Sequence, residues 1–368
     1  MDIVTTSNFH ATLLKGQVSV VFIPAEHLRR CSWPLLNLLL YGGCNFDDDG
    51  CCNTTSDHVC RSVQAEIFSV VSDRDGITLF MDPNGIDMFH KANMEDMVTI
   101  APQAWRAIQI HLGPMVAEFP GVISFLSKLL AEDDISILNM STYDTDIIYV
   151  QEPDLEAAVS CLQSKLSRGV HGLKEAKEAE RCRSDSDQLV ISPPAAADAK
   201  SFTKPPSVID SGQYLIVYPE PLVLARLRKD ALRESAYGLT RLVLLSARGA
   251  GEALNIESTG DESSGNCFWS YCETAEEISL ILSERFLPDF ADNALIVSPD
   301  RWRAIRLGGR QYGFDETGVV AAMSGFATDT QVLNVSSFGS NVAFVLDHTV
   351  DASVATLCSS LNISRIIR

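Results

Sequence analysis

The spacing of hydrophobic positions along this chain changes repeatedly. Val18 to Phe22 is a short β-branched run, as expected of a strand. Leu28 to Leu40 is apolar on more than one face and has the length of a helix. Glu66 to Val71 and Gly76 to Asp82 read as two strands joined by Ser-Asp-Arg-Asp-Gly, a run of turn-forming residues. Trp105 to Leu112 is another strand. Pro120 stands where a first helical residue tolerates it, and Val122, Phe125, Leu126, Leu129 and Leu130 then form a helical stripe. Ser136 to Thr142 and Asp146 to Val150 are strands around a turn, and Leu155 to Leu166 closes as a helix. Strand–helix–strand–strand–helix, met twice in each half, is the split βαβ or ferredoxin-like plan. The expected fold class is α+β, with four βαββαβ units in two similar halves.

The halves are visible as an internal repeat. Trp105-Arg-Ala-Ile108 recurs as Trp302-Arg-Ala-Ile305, each preceded by a proline, Pro102 and Pro299. Gly121-Val-Ile123 matches Gly318-Val-Val320, and Ile137-Leu-Asn-Met-Ser-Thr-Tyr143 matches Val332-Leu-Asn-Val-Ser-Ser-Phe338. Asp146 to Val150 then aligns without a gap on Asn341 to Val345. Further upstream, Gly16-Gln-Val-Ser-Val-Val21 resembles Gly212-Gln-Tyr-Leu-Ile-Val217. Such a period means that one supersecondary unit has been duplicated.

Composition sets the boundaries. Residues 169–211 hold Lys/Glu/Ala runs, Ser-Asp-Ser-Asp, Pro193-Pro194 and Pro205-Pro206, too polar to bury a core, and are expected to be a disordered linker. Segments 44–62, rich in Asp, Cys and Asn, and 248–266, rich in Gly, Ser and Glu, read as inserted loops. The expected units are therefore 10–99, 100–168, 212–298 and 299–368.

A chain of 368 residues with 46% apolar residues can bury cores without disulfides or metals. Its formal net charge of −19 argues against nucleic acid and anionic membrane surfaces as partners. The N-terminus has no basic region followed by an apolar core, so no secretory signal is expected. The most apolar window, Trp33 to Tyr41, is far short of the roughly 20 residues a membrane span needs. Ten cysteines without a signal read as reduced thiols, which makes the expected location cytoplasmic. Cys44, Cys51, Cys52 and Cys60, with His58, lack paired C-x₂-C spacing, so neither a metal nor a cofactor is expected. No nucleophile, phosphate-loop, zinc-protease or dinucleotide motif appears, and the expected protein is not an enzyme.

Two segments carry candidate binding chemistry. Leu307-Gly-Gly-Arg-Gln-Tyr-Gly-Phe-Asp-Glu-Thr-Gly-Val-Val320 joins a strand to a helix. Its glycines let backbone approach a ligand, free N–H groups at a helix start attract a carboxylate, and Glu316 offers an anion to an ammonium or guanidinium. The same features also stabilise an ordinary helix start. Ser336-Ser-Phe-Gly-Ser-Asn341 brings hydroxyls and an amide to a turn, either for a ligand or for local turn bonding.

Ser136-Ile-Leu-Asn-Met-Ser-Thr-Tyr-Asp-Thr-Asp146, Trp302-Arg-Ala-Ile-Arg-Leu-Gly-Gly309 and Gly313-Phe-Asp-Glu-Thr-Gly-Val-Val320 together resemble the CASTOR family, cytosolic arginine sensors upstream of the TOR kinase complex. The resemblance implies that the four units are ACT-type, with the ligand held between the second and fourth. It places Ser136 and Ile137 at ligand positions in the second unit, and Gly313, Glu316, Val320, Ser337, Phe338 and Asn341 in the fourth. The implied ligand is a free amino acid, arginine or lysine first, and the implied protein partner is a GATOR-type regulatory complex. That partner is met through Tyr143, Asp144 and Asp146, with a homodimer expected from exposed strand edges. Two positions depart from the family: Asn341 replaces an acid and Asp144 a glutamine. The first leaves an alternative open, a stand-alone regulatory subunit that senses another amino acid for a biosynthetic enzyme.

Overall fold

The computed structural model describes residues 10–42, 65–111, 121–166, 168–172, 212–252, 268–314, 316–326 and 330–368, without the side chains of 248–252. The expected loop 44–62 and most of 169–211 and 248–266 lie outside these residues.

The first half begins with β1 (His10–Leu13). It continues with β2 (Ser19–Pro24), α1 (Leu28–Tyr41), β3 (Ile67–Ser72), β4 (Gly76–Met81), the short α2 (Asp87–Lys91) and β5 (Thr99–Ile100). Then come β6 (Trp105–His111), α3 (Val122–Glu132), β7 (Ile137–Ser141), β8 (Thr145–Gln151), α4 (Leu155–Lys165) and β9 (Val170–His171). The second half repeats this order with β10 (Tyr214–Val217), β11 (Leu222–Leu227), α5 (Ala236–Glu252), β12 (Trp269–Thr274), β13 (Ile278–Ser283) and β14 (Leu295–Val297). It ends with β15 (Trp302–Gly308), α6 (Val319–Met323), β16 (Val332–Ser337), β17 (Ser340–Leu346), α7 (Val350–Leu361) and β18 (Ile366–Ile367). The α+β units foreseen from periodicity are present.

One expected alignment is corrected. β10 lies antiparallel to β15 and parallel to β18, and β1 lies antiparallel to β6 and parallel to β9. The counterpart of 214–217 is therefore 10–13, not the 16–21 segment that its Gly-Gln pair suggested. The strand opening each half crosses to the sheet of the following unit, a pairing that local sequence does not encode.

Hydrogen-bonded neighbours trace two long sheets, bridged to each other at Leu222–Trp302 and Val18–Trp105. One runs β5–β2–β4–β3–β12–β13–β11–β14, joining the first and third units through an antiparallel β3–β12 pair. The other runs β9–β1–β6–β8–β7–β16–β17–β15–β10–β18, joining the second and fourth units at β7–β16. Side chains alternate across each strand. Thus Val20, Phe80, Trp105, Tyr149, Phe268, Trp302 and Phe344 meet in a core between the sheets. Their neighbours Val21 and Leu79 face α1 and α5 on one side. On the other side Ile108 and Ile148 face α3 and α4, and Val345 faces α7. Both faces of each sheet are covered, which is why the central strands read as continuous apolar runs rather than alternating ones. The repeated tryptophans lie in this central layer, Trp105 at 0% and Trp302 at 5% exposure.

Candidate functional site

At the β7–β16 seam only Val335 and Met140 pair as strand partners. Side chains carry the rest, in near-two-fold symmetry. The Asn139 amide N–H donates to Ser336 Oγ at 2.9 Å, and the Asn334 N–H donates to Ser141 Oγ at 3.0 Å. Asn139 Nδ2 also donates to the Asn334 carbonyl at 3.0 Å. Each serine hydroxyl replaces a backbone carbonyl and satisfies a buried N–H that would otherwise go unpaired.

A small pocket opens there, with about 20 Å³ of free space inside about 330 Å³ that includes open solvent at its mouth. Ser136 and Ile137 line it from the second unit, and Gly313, Glu316, Val320, Ser337 and Asn341 line it from the fourth. The eighth expected residue, Phe338, does not line it; its ring stacks on Phe22 of the first unit at 4.5 Å between centroids. The Ser136 hydroxyl donates to the Phe314 carbonyl at 2.8 Å, and Gln151 Nε2 donates to the same oxygen at 2.7 Å. These bonds hold the Gly313 loop against the second unit. Val320 packs among second-unit side chains, which ties the short helix α6 to α3. With only five residues, α6 has little of the dipole that the sequence reading assigned to a helix start at this point.

Among the described residues Glu316 is the acid that lines the cavity, and both of its oxygens are engaged. Arg310 reaches them as a fork at 3.0 and 2.6 Å, while the Gly313 N–H donates to Oε1 at 2.8 Å. The Arg310 guanidinium also lies over the Tyr312 ring, 4.5 Å from its centroid. Asn341 is 1% exposed. Its Nδ2 donates to Ser336 Oγ at 3.1 Å, and its Oδ1 is buried with no protein partner. Ser336 sends its own hydroxyl proton toward Asn139 Oδ1 at 3.4 Å, which leaves its oxygen to accept from Asn341 Nδ2, and Asn341 is among the residues that line the cavity. An unfilled acceptor there favours a donor from outside.

The turn carrying Ser337 and Phe338 is clamped by the first unit. Ser337 Oγ donates to Asp73 Oδ2 at 2.6 Å, and the Phe338 N–H donates to Thr78 Oγ1 at 2.8 Å. Arg306 bonds Asp75 and Ser340 and lies 3.9 Å from Asp73. Burial raises the Asp73 pKa, and the Arg306 charge works against that rise. Gly339 closes the turn at φ +67°, where a Cβ would also lie 2.9 Å from the Gln311 side chain.

At the other end of the molecule the β7–β8 turn meets the third unit. Asp144 pairs with Arg226 at 2.7 Å, and Thr142 Oγ1 donates to Glu277 Oε1 at 2.6 Å. Of the expected partner residues, Tyr143 and Asp144 are half-buried, and Asp146 is buried at 6% exposure. Burial pushes the Asp146 carboxyl up to about 6, and a hydrogen bond from Ser141 opposes the shift. Among the described residues no cluster of three or more His, Cys, Asp or Glu is placed to hold a metal, and no helix is long and apolar enough to cross a membrane.

Sequence reading missed Arg310, Gln151 and the Asn/Ser seam. The seam did leave a signal: Leu-Asn-x-Ser recurs at equivalent positions of two apolar strands, and a polar residue repeated inside a buried strand needs a partner.

The sequence profile of the ACT domain family matches residues 100–164 and 297–359, the stretches of β5 to α4 and β14 to α7. The mouse protein "Cytosolic arginine sensor for mTORC1 subunit 1" is 25% identical over 307 residues, 81% of this chain and 86% of that protein. The human protein of the same name is 25% identical over 308 residues, covering 81% of this chain and 87% of its own length. Among solved structures, an aspartate kinase from Synechocystis overlaps 100% of this chain and 58% of its own at 11% identity, with a TM-score of 0.33. Two segments of the chain thus match the ACT domain family, and the chain is similar across four fifths of its length to the mouse and human proteins named as cytosolic arginine sensors.

Proposed function

We propose that this protein is a cytosolic sensor of a free amino acid, arginine first, bound at the seam of the second and fourth units. In this reading the ligand gates a protein–protein interaction in TOR nutrient signalling. The observation that carries it is the Asn341 oxygen, buried without a partner at the wall of a cavity lined from both units. A buried acceptor costs stability unless a donor fills it, and an amino acid brings N–H donors at both ends. Glu316 supports a cationic side chain, since it is the acid in the lining. The names of the mouse and human relatives support arginine and the mTORC1 setting. We keep the unit limits 10–99, 100–168, 212–298 and 299–368 as part of this proposal.

A ligand bridging two units changes the balance of their arrangements by its differential affinity for them. The partner surface, with Tyr143 and Asp144, lies on the β7–β8 turn, one strand connection away from the seam. By reciprocity the partner must weaken the ligand as much as the ligand weakens the partner.

Thermal unfolding against the twenty amino acids tests the reading. A ligand at 100 times its dissociation constant adds about 2.7 kcal/mol, a clear rise in midpoint. Arginine is expected to raise it. Asn341→Leu should abolish that rise while leaving the ligand-free protein within about 1 kcal/mol of its parent, because the lost bond to Ser336 is offset by removal of an unsatisfied oxygen. No shift with any amino acid would overturn the sensor reading.

A further inference from the structure

The acid best placed to receive a cationic ligand is already taken. We infer that Arg310 is a resident occupant of the cation seat on Glu316, a tethered guanidinium that any cationic ligand has to displace. This rests on the proposed ligand site and deepens it.

The argument is geometric. The seat is a carboxylate presenting both oxygens in one plane, fixed by the Gly313 N–H, with the Tyr312 ring beside it. Two parallel N–H donors on a flat, delocalised cation fit such a site, and a compact ammonium does not. A planar cation also gains from lying over an aromatic face. Arg310 supplies all of this from within the same loop, six residues before Glu316. The pair is half-buried, with side-chain exposures of 30% and 25%, so the acid is neutralised next to the cavity rather than deep inside the protein.

Three consequences follow. The seat selects a guanidinium over an ammonium, so arginine is bound in preference to lysine. The ligand-free protein holds a neutral cavity wall, so Glu316 is not left as an unpaired charge at a seam between units. Affinity is set by exchange of one guanidinium for another, weaker than an open carboxylate would give. The Asn341 oxygen has no such internal occupant and remains for the other end of the ligand.

The test removes the tether and returns its head group. Arg310→Gln and Arg310→Ala are compared with the parent by calorimetry, using L-arginine, L-lysine and methylguanidinium as probes. Both variants should bind L-arginine up to about fivefold more tightly, the upper end of what one solvent-accessible ion pair contributes. Methylguanidinium should bind Arg310→Ala and not the parent, and adding Glu316→Gln to Arg310→Ala should abolish that binding. Methylguanidinium binding in Arg310→Ala with no arginine binding in any protein would uphold the seat and sink the arginine reading. Unchanged or weaker arginine binding in both variants, without methylguanidinium binding, would overturn the inference. Arg310→Gln, which keeps a hydrogen-bonding side chain, guards against a folding defect peculiar to the alanine variant.

Discussion

Single residues show how far burial reshapes chemistry here. Asp146 aligns with Asn341 in the repeat, yet one is a buried carboxyl and the other a buried amide. An aspartate titrates near 3.9 in an unfolded chain, while burial sets Asp146 at about 6. The folded state therefore binds the extra proton between those values, and Asp146 lowers stability as pH rises through that window, with the full cost present above it. Asp146→Asn should stabilise the protein at neutral pH by up to about 3 kcal/mol and by almost nothing below pH ~4, since an amide oxygen still accepts from Ser141. Urea midpoints of variant and parent from pH 4 to 8 give this difference directly. An equal gain at every pH would mean that folding does not shift the Asp146 pKa. The family resemblance put Asp146 on a partner surface, and its burial could not be seen in the sequence, because an acid in a strand is exposed by default.

Among elements, the β7–β16 junction illustrates what periodicity conveys. The first strand was placed to within a residue, Ser136–Thr142 becoming Ile137–Ser141, and the second follows its repeat match, Val332–Phe338 becoming Val332–Ser337. Their adjacency was not legible, because strands 195 residues apart pair through contacts that neither encodes alone. Ser336→Ala should leave the Asn139 N–H without its acceptor and strand the Asn341 amide, costing about 1–3 kcal/mol. Ser141→Ala should cost a comparable amount through the Asn334 N–H, as the two-fold arrangement requires. Chemical denaturation of both variants checks this, and a large difference between them would show that the seam is not symmetric in energy.

At the scale of the molecule, turns from the two sheets interlock at both ends, in different chemistry. Near the cavity, Arg306 joins Asp75 and Ser340 beside buried Asp73; at the far end its repeat counterpart Gln109 bonds Thr145 at 3.2 Å and Glu276 at 3.5 Å. Arg306→Met leaves Asp73 as an uncompensated buried acid and should cost about 3–5 kcal/mol at neutral pH. Because burial already raises the Asp73 pKa, that loss should shrink as pH falls and the acid takes a proton. Equal losses at pH 5 and pH 8 would rule out Asp73 as the cause.

The sequence by itself determined the units, their duplication and the apolar faces, because strand and helix periods and the Trp-Arg-Ala-Ile repeat are local properties of the chain. Its family resemblance also named Glu316 and Asn341 before any contact was known. Only the tertiary structure decided that β1 and β10 cross to the neighbouring units, that Asp146 is buried, and that Arg310 sits on Glu316. Each of these depends on which groups meet across the fold and on how much water is excluded there. Pairing, burial and charge compensation arise only when distant segments share one space.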